Sequence, residues 1–324
     1  MNAKKHLSWS RILQFAPVIL LIVLLCVFAF VDDRIITGPN LLQILVQAAP
    51  IAILALGAMI VLISGGIDLS AGYGVGLCAV VVGLVLTNGG SLFSAIIITL
   101  MVGVVIGLFN GFFVGMLKIQ AFIVTLGSMT LVQGATLLLA TGGVLIVTDP
   151  VLKKIGVGAT AGVPNIAIVT AVLIVAAALL IKQTSFGLRT YGIGSSLESS
   201  RSSGVPIVRQ QLFVYIFSGV CTAITAILLV SRASIVSPNI GGVNLMLDAI
   251  TATVIGGTSI FGGRGSIAGT LVGAIIISLI THAMSVFGIG ASSLDFFKGM
   301  IIVIALAMDS LLRAAQHKLG ARQA

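Results

Sequence analysis

Two acids, two amides and two hydroxyls sit where an apolar chain has no cheap use for them. Asp68 lies in Ser64-Gly65-Gly66-Ile67-Asp68-Leu69-Ser70, between two apolar runs. Asp248 stands near the start of a short apolar piece, Leu245–Ile255, and Thr258 and Ser259 follow in the glycine-rich turn Gly256–Gly265. Asn110 and Gln133 interrupt long apolar stretches. Such groups are costly unless they are hydrogen-bonded, line a polar cavity or carry a function. Asp68 either caps the next helix through its backbone N–H groups or touches a polar substrate. Asp248 is either a helix N-terminal acid or a cavity residue. Asn110 and Gln133 either bond neighbouring helices or line the path of a polar solute, and Thr258 and Ser259 are candidates for the same path or its gate.

Catalytic and metal chemistry find little support. No Gly-x-x-x-x-Gly-Lys-Ser/Thr is present to cradle nucleotide phosphates, and no His-Glu-x-x-His to hold a metal; His6, His282 and His317 are scattered. Ser292, in Gly290-Ala291-Ser292-Ser293, would act as a nucleophile only with a histidine base nearby, and His282 is the one within reach. Cys26, Cys78 and Cys221 lie singly in apolar runs and read as packing residues.

The surroundings of these residues decide what solvent the chain meets. Of 324 residues, 58% are hydrophobic and 8% charged, with mean hydropathy +1.25. A soluble domain keeps about 25% charged residues to face water. Apolar runs of about 20 residues in a bilayer must be helices, because lipid satisfies no backbone polar group. The expectation is an all-α polytopic membrane protein forming a single transmembrane domain over residues 1–324. A net charge of +9 does not point to nucleic acid, because the basic residues sit at the ends of apolar runs and form no basic face.

Taken in order, residues 1–11 form a basic cytoplasmic N-terminus before an uncleaved first helix ending near Val31. Further spans are expected over about Leu41–Ile63, up to Leu86, Leu92–Leu117, Gln120–Ala140 and up to Lys182. An outer segment, Thr141–Val163, precedes the last of these. Beyond a polar stretch at 182–211 come Leu212–Ser231, the short piece Leu245–Ile255, Ser266–Phe287 and Phe296–Leu312, with a cytoplasmic tail at 313–324. Counting the short piece, about ten helices cross with both ends inside. This topology puts twelve of the 17 Lys and Arg residues on the cytoplasmic side. Ile63-Ser64-Gly65-Gly66 and Val254-Ile255-Gly256-Gly257 each end a helix in glycines and restart as another, consistent either with two inverted-repeat halves or with chance among 39 glycines.

The stretch 182–211 holds Lys182, Arg189, Arg201 and Arg209 against the single acid Glu198, and belongs on the cytoplasmic side. It is a connector or a docking surface. Here a family resemblance enters. Ser64–Ser70, Gln120-Ala121-Phe122-Ile123-Val124-Thr125-Leu126, Asp248-Ala249-Ile250 and Ile255–Gly265 with Gly269–Ala274 resemble the ribose-type permease subunits of bacterial ATP-binding-cassette sugar importers. The resemblance runs in order over nearly the whole chain. It implies that the large cytoplasmic loop docks into an ATPase subunit, through Gly194, Glu198, Arg201, Ser203, Gly204 and Val205. Ser196 stands where the family favours Asn, and Ser199 and Ser200 where it favours Ala; all three remain small enough for close docking.

The resemblance also implies the assembly: an inner-membrane permease paired with itself or a related chain, a cytoplasmic ATP-binding subunit carrying the ATP and Mg, and a periplasmic sugar-binding protein. This chain would bind no cofactor or metal itself, and its further partner is membrane lipid. The rival readings are an ion-gradient transporter using Asp68 or Asp248, and an intramembrane enzyme using Ser292.

Overall fold

The computed structural model describes residues 15–140, 143–290, 293, 295–297, 299 and 300. It is built of helices: α1 (Ala16–Val31), α2 (Gly38–Ile63), α3 (Ser70–Thr87), α4 (Leu92–Gly115), α5 (Ala121–Ala140), α6 (Pro150–Val157), α7 (Asn165–Gln183), α8 (Ser185–Ser195), α9 (Leu197–Ser202), α10 (Ile207–Ala233), α11 (Val243–Ile255) and α12 (Ile267–Val286). Seven of them (α2, α3, α4, α5, α7, α10 and α12) are long and apolar enough to cross a membrane, while α1 and α11 are shorter. The last expected span falls largely outside the described residues, as do residues 1–11, Ser292 and the tail.

The centre is α2. Every residue from Ala48 to Ile63 is buried, as expected for a helix apolar on all sides. Around it stand α10, α12, α11 and α7. The faces of α4, α5 and α7 instead expose large apolar side chains, among them Phe93, Met101, Leu131, Leu138 and Val172, as a lipid-facing surface does.

Helices α4 and α10 pack closely along their length. Gly103, Gly107, Gly111 and Gly115 recur every fourth residue along α4. A Cβ at Gly103 would overlap the carbonyl oxygen of Gly219, and one at Gly107 that of Tyr215. Small residues at this spacing let two backbones approach closely, which is how helices associate without a hydrophobic drive between them.

Two short ladders close the end of the bundle at which α10 terminates. There β1 (Leu145–Ile146) pairs antiparallel with β4 (Ile235–Val236), and β2 (Ala159–Thr160) with β3 (Val163–Pro164). Cap and ladders order residues 145–164 there, with Asp149 Oδ1 accepting from Leu152 N–H at the start of α6.

One boundary differs from expectation. Helix α10 begins at Ile207, so Ile207–Gln211 is helix and not loop. Gln210 is the cause: it is buried, and its Nε2 donates to the carbonyl of Phe186 and to Thr190 Oγ1, both at 2.8 Å. The remaining polar stretch is mostly helical too, as α8 and α9.

Candidate functional site

The short helix α11 is explained by where its chain comes from. After β4 the backbone runs back along α3, past Gly76, until Gly242 N–H donates to the carbonyl of Gly72 at 2.8 Å. Only then does α11 start. On the other side, the chain leaving α2 re-enters the bundle as Ser64–Leu69, until Asp68 meets Ser218, eleven residues into α10. That is about 16 Å along the helix axis. Two non-helical segments thus penetrate from opposite ends and meet near the first turn of α3. Irregular backbone at such depth is tolerated only where protein or a polar cavity surrounds it. Gly242 (φ +104) and Gly72 permit the meeting, because a Cβ at Gly72 would overlap the carbonyl oxygen of Gly242.

Polar side chains collect at this level. Asp68 is 7% exposed; its Oδ1 accepts from Ser70 N–H (3.0 Å) and Ser70 Oγ–H (2.6 Å), and its Oδ2 from Ser218 Oγ–H (2.8 Å). Asn110 Nδ2 donates to Ser70 Oγ at 2.8 Å, and Thr125 Oγ1 donates to the carbonyl of Ile67 at 3.0 Å. Asp68 thus caps α3 and also joins α3 to α10, while Asn110 joins α4 to α3. Ser70 and Ser218 were not singled out in the chain, because a serine in an apolar helix carries no signal until its partner is known. Buried carboxylates need such donors, since lipid and apolar side chains supply none.

The other candidates sit on other elements. Gln133 is half-buried in α5, which packs on α3, and Asp248 is half-buried in α11. Thr258 and Ser259 are both 2% exposed in the turn after α11. Ser259 Oγ accepts from Phe261 N–H at 3.1 Å, while Thr258 Oγ1 has no partner among the described residues. His282, the base an intramembrane nucleophile would need, has both ring nitrogens engaged: Nε2 with Asn40 Oδ1 at 3.0 Å and Nδ1 with Gln47 Nε2 at 3.3 Å. No group of three His, Cys, Asp or Glu side chains that could hold a metal occurs among the described residues.

The second locus is the pair α8–α9. Ser196 caps α9, its Oγ accepting from Ser199 N–H at 3.2 Å. Glu198, Arg201, Ser203 and Gly204 are exposed, Val205 is half-buried, and Gly204 takes φ +76. The inner face of α8 is seated closely. A Cβ at Gly194 would overlap the carbonyl oxygen of Ile63, the last residue of α2. That carbonyl accepts from Gly263 N–H at 2.9 Å, and Tyr191 Oη donates to the carbonyl of Gly265 at 2.9 Å. Burial pushes the Tyr191 phenol up, which keeps it a donor. So α8 rests at once on the end of α2 and on the glycine-rich turn that follows α11. Those helix ends carry the same cap: Gly65 and Gly66 N–H return to Leu62 and Val61, and Gly257 and Thr258 N–H to Val254 and Thr253.

A family model described as branched-chain amino acid transport system / permease component matches residues 40–306. Curated relatives include the Autoinducer 2 import system permease protein LsrC of Salmonella typhimurium, 34% identical over 94% of this chain and 88% of the relative. The Escherichia coli protein of the same name is 34% identical over 94% and 89%. The Ribose import permease protein RbsC of Haemophilus influenzae is 31% identical over 91% and 92%. No solved structure matches. The chain belongs to this permease family and is a multi-pass membrane protein of the ribose-type kind that its motifs indicated.

Proposed function

We propose that this chain is the membrane-spanning subunit of an ATP-binding-cassette importer in the bacterial inner membrane, and that it translocates a monosaccharide, ribose or a related sugar. A separate cytoplasmic ATPase subunit, carrying the ATP and Mg, drives alternating access, and a periplasmic binding protein delivers the solute. Two permease chains, alike or related, form the path. In this reading residues 182–211 are cytoplasmic, about ten segments cross, and both termini lie inside.

The observation that carries the reading is the seating of α8. A partner engaging the exposed residues of α8 and α9 gains a lever on α2 and on the turn after α11, and through α2 on the penetrating segment Ser64–Leu69. Alternating access requires a ligand that stabilises one of two arrangements, and ATP-driven closure of a docked motor is such a ligand. The substrate rests on the relatives: their names specify ribose and autoinducer 2, whereas the family description specifies branched-chain amino acids. The relatives cover nearly the whole chain, which favours the monosaccharide reading.

The test is co-purification of the tagged chain from its native membranes, followed by uptake of ribose, autoinducer 2 and leucine in vesicles. The expected result is an ATPase subunit in stoichiometric amount and vanadate-sensitive uptake of ribose. A chain that elutes alone and transports on a proton gradient overturns the reading and returns attention to Asp68 and Asp248.

A further inference from the structure

Tyr215 carries a buried hydroxyl that the observed arrangement does not use. The residue is wholly buried in α10, and its Oη has no hydrogen-bond partner among the described residues. An idle phenol in such a place costs free energy, and phenylalanine would fill the space without that cost. Its position is specific. Oη lies against Gly66, where a Cβ would come within 2.6 Å, and Gly66 is two residues from Asp68. Ser218, three residues further along α10, is the donor to Asp68 Oδ2 at 2.8 Å. Helix α10 therefore offers the segment Ser64–Leu69 two donors in succession, one engaged and one idle.

We propose that Ser218 and Tyr215 are alternative donors to Asp68 in the two end states of transport, exchanged when α10 moves along its axis past Ser64–Leu69. The proposal rests on the importer reading. Three residues correspond to about 4.5 Å of rise, close to the one-turn ratchet by which packed elements change register. The bonds divide the molecule accordingly. Asp68 and Ser70 form one unit at the start of α3, and Thr125 pins Ile67 to α5. On the moving side, Gln210 ties the first turn of α10 to α8, and the glycine seam makes α4 travel with α10. The bond from Asn110 Nδ2 on α4 to Ser70 Oγ crosses this division and is given up in the movement, while Ser70 Oγ–H remains on Asp68. Ser70 N–H and Oγ–H stay with the carboxylate throughout, and one donor replaces another on Oδ2. The buried charge is satisfied at both ends of the movement, which is what a two-state element requires. Ser218 and Tyr215 are thus positioning residues.

The test uses the full complex, permease with its ATPase subunit, in lipid nanodiscs. Melting temperature is read in the nucleotide-free and vanadate-trapped states, together with ATP turnover. Tyr215→Phe and Ser218→Ala should each lower the melting temperature of one state, and not of the same state. Tyr215→Phe should also slow vanadate-sensitive turnover roughly ten- to hundredfold, the effect of losing a hydrogen bond to a charged group. A Tyr215→Phe complex that melts and turns over like the wild type overturns the exchange. So does a pair of variants that weaken the same state. Failure of the importer reading shows differently, as a wild-type chain that holds no ATPase subunit and supports no vanadate-sensitive turnover.

Discussion

Gly192 and Gly194 lie two residues apart in α8 and differ chiefly in what stands above them, which makes their alanine variants a matched pair. At Gly192 the nearest atom to a Cβ is Ser200 Oγ at 3.3 Å, the end of a side chain that can turn aside. At Gly194 the Cβ would overlap the backbone carbonyl of Ile63 and press on the amide of Gly263, and neither can move alone. Alanine gains about 0.8–1 kcal/mol over glycine in a helix interior. Against this, overpacking costs about 1–3 kcal/mol. Lifting α8 also loosens the bonds Gly263 N–H to Ile63 O and Tyr191 Oη to Gly265 O, each worth about 1 kcal/mol. Gly194→Ala should therefore disfavour the seated α8 by about 2–4 kcal/mol, while Gly192→Ala should stabilise it by about 0.5–1 kcal/mol. The assay is ATP hydrolysis by the purified complex with and without loaded binding protein, alongside its melting temperature. Gly194→Ala should lose the response to the binding protein; Gly192→Ala should keep it. Two variants that respond alike would refute the argument that the seat of α8 transmits force.

Three further outcomes follow from the same contacts. Glu198→Arg, a charge reversal on the exposed first turn of α9, should release the ATPase subunit in a pull-down while leaving the permease's own stability within about 0.5 kcal/mol of wild type. Gly72→Ala should cost about 1–3 kcal/mol by forcing the segment that ends at Gly242 away from α3, seen as lower melting and faster limited proteolysis near Gly242. Asp68→Asn should cost about 1–3 kcal/mol, because the amide puts N–H in place of one of the two oxygens that together accept three bonds; wild-type melting would contradict the network.

The helices were legible in the chain because a bilayer leaves no alternative to them, and because Gly65, Gly89 and Gly257 mark helix ends that each take positive φ. The start of α10 was not legible. Ile207–Gln211 carries Arg209, Gln210 and Gln211, which look like loop until Gln210 is seen reaching the backbone of α8. Asp68 stood out by charge alone, but its partners are distant: Ser218 lies 150 residues away and Asn110 meets Ser70 across 40. Hydroxyls in apolar helices usually bond to their own preceding turn, as Thr222 does to Ser218, so their type does not reveal which of them reaches out. Leu245–Ile255 was recognisably too short to cross; that its chain begins deep inside the bundle depends on the contact between Gly242 and Gly72.

The two penetrating segments and the seat of α8 bear on one mechanical problem. A path that opens alternately to two sides needs both of its linings to move together, or the solute leaks. Ser64–Leu69 begins where α2 ends, and α11 ends where the glycine-rich turn Gly256–Gly265 begins. These two points meet in space through the bond from Gly263 N–H to Ile63 O, and α8 sits on both through Gly194. A displacement of α8 therefore reaches both broken elements at their shared end without passing through a chain of intermediate side chains. Helix α10, tied to α8 by Gln210, follows α8 along its own axis, and its register against Asp68 is set by Ser218 at the level where the two segments meet. One rigid helix in contact with both breaks and with the helix that reads them supplies the concerted movement, and it does so only while residue 194 has no side chain.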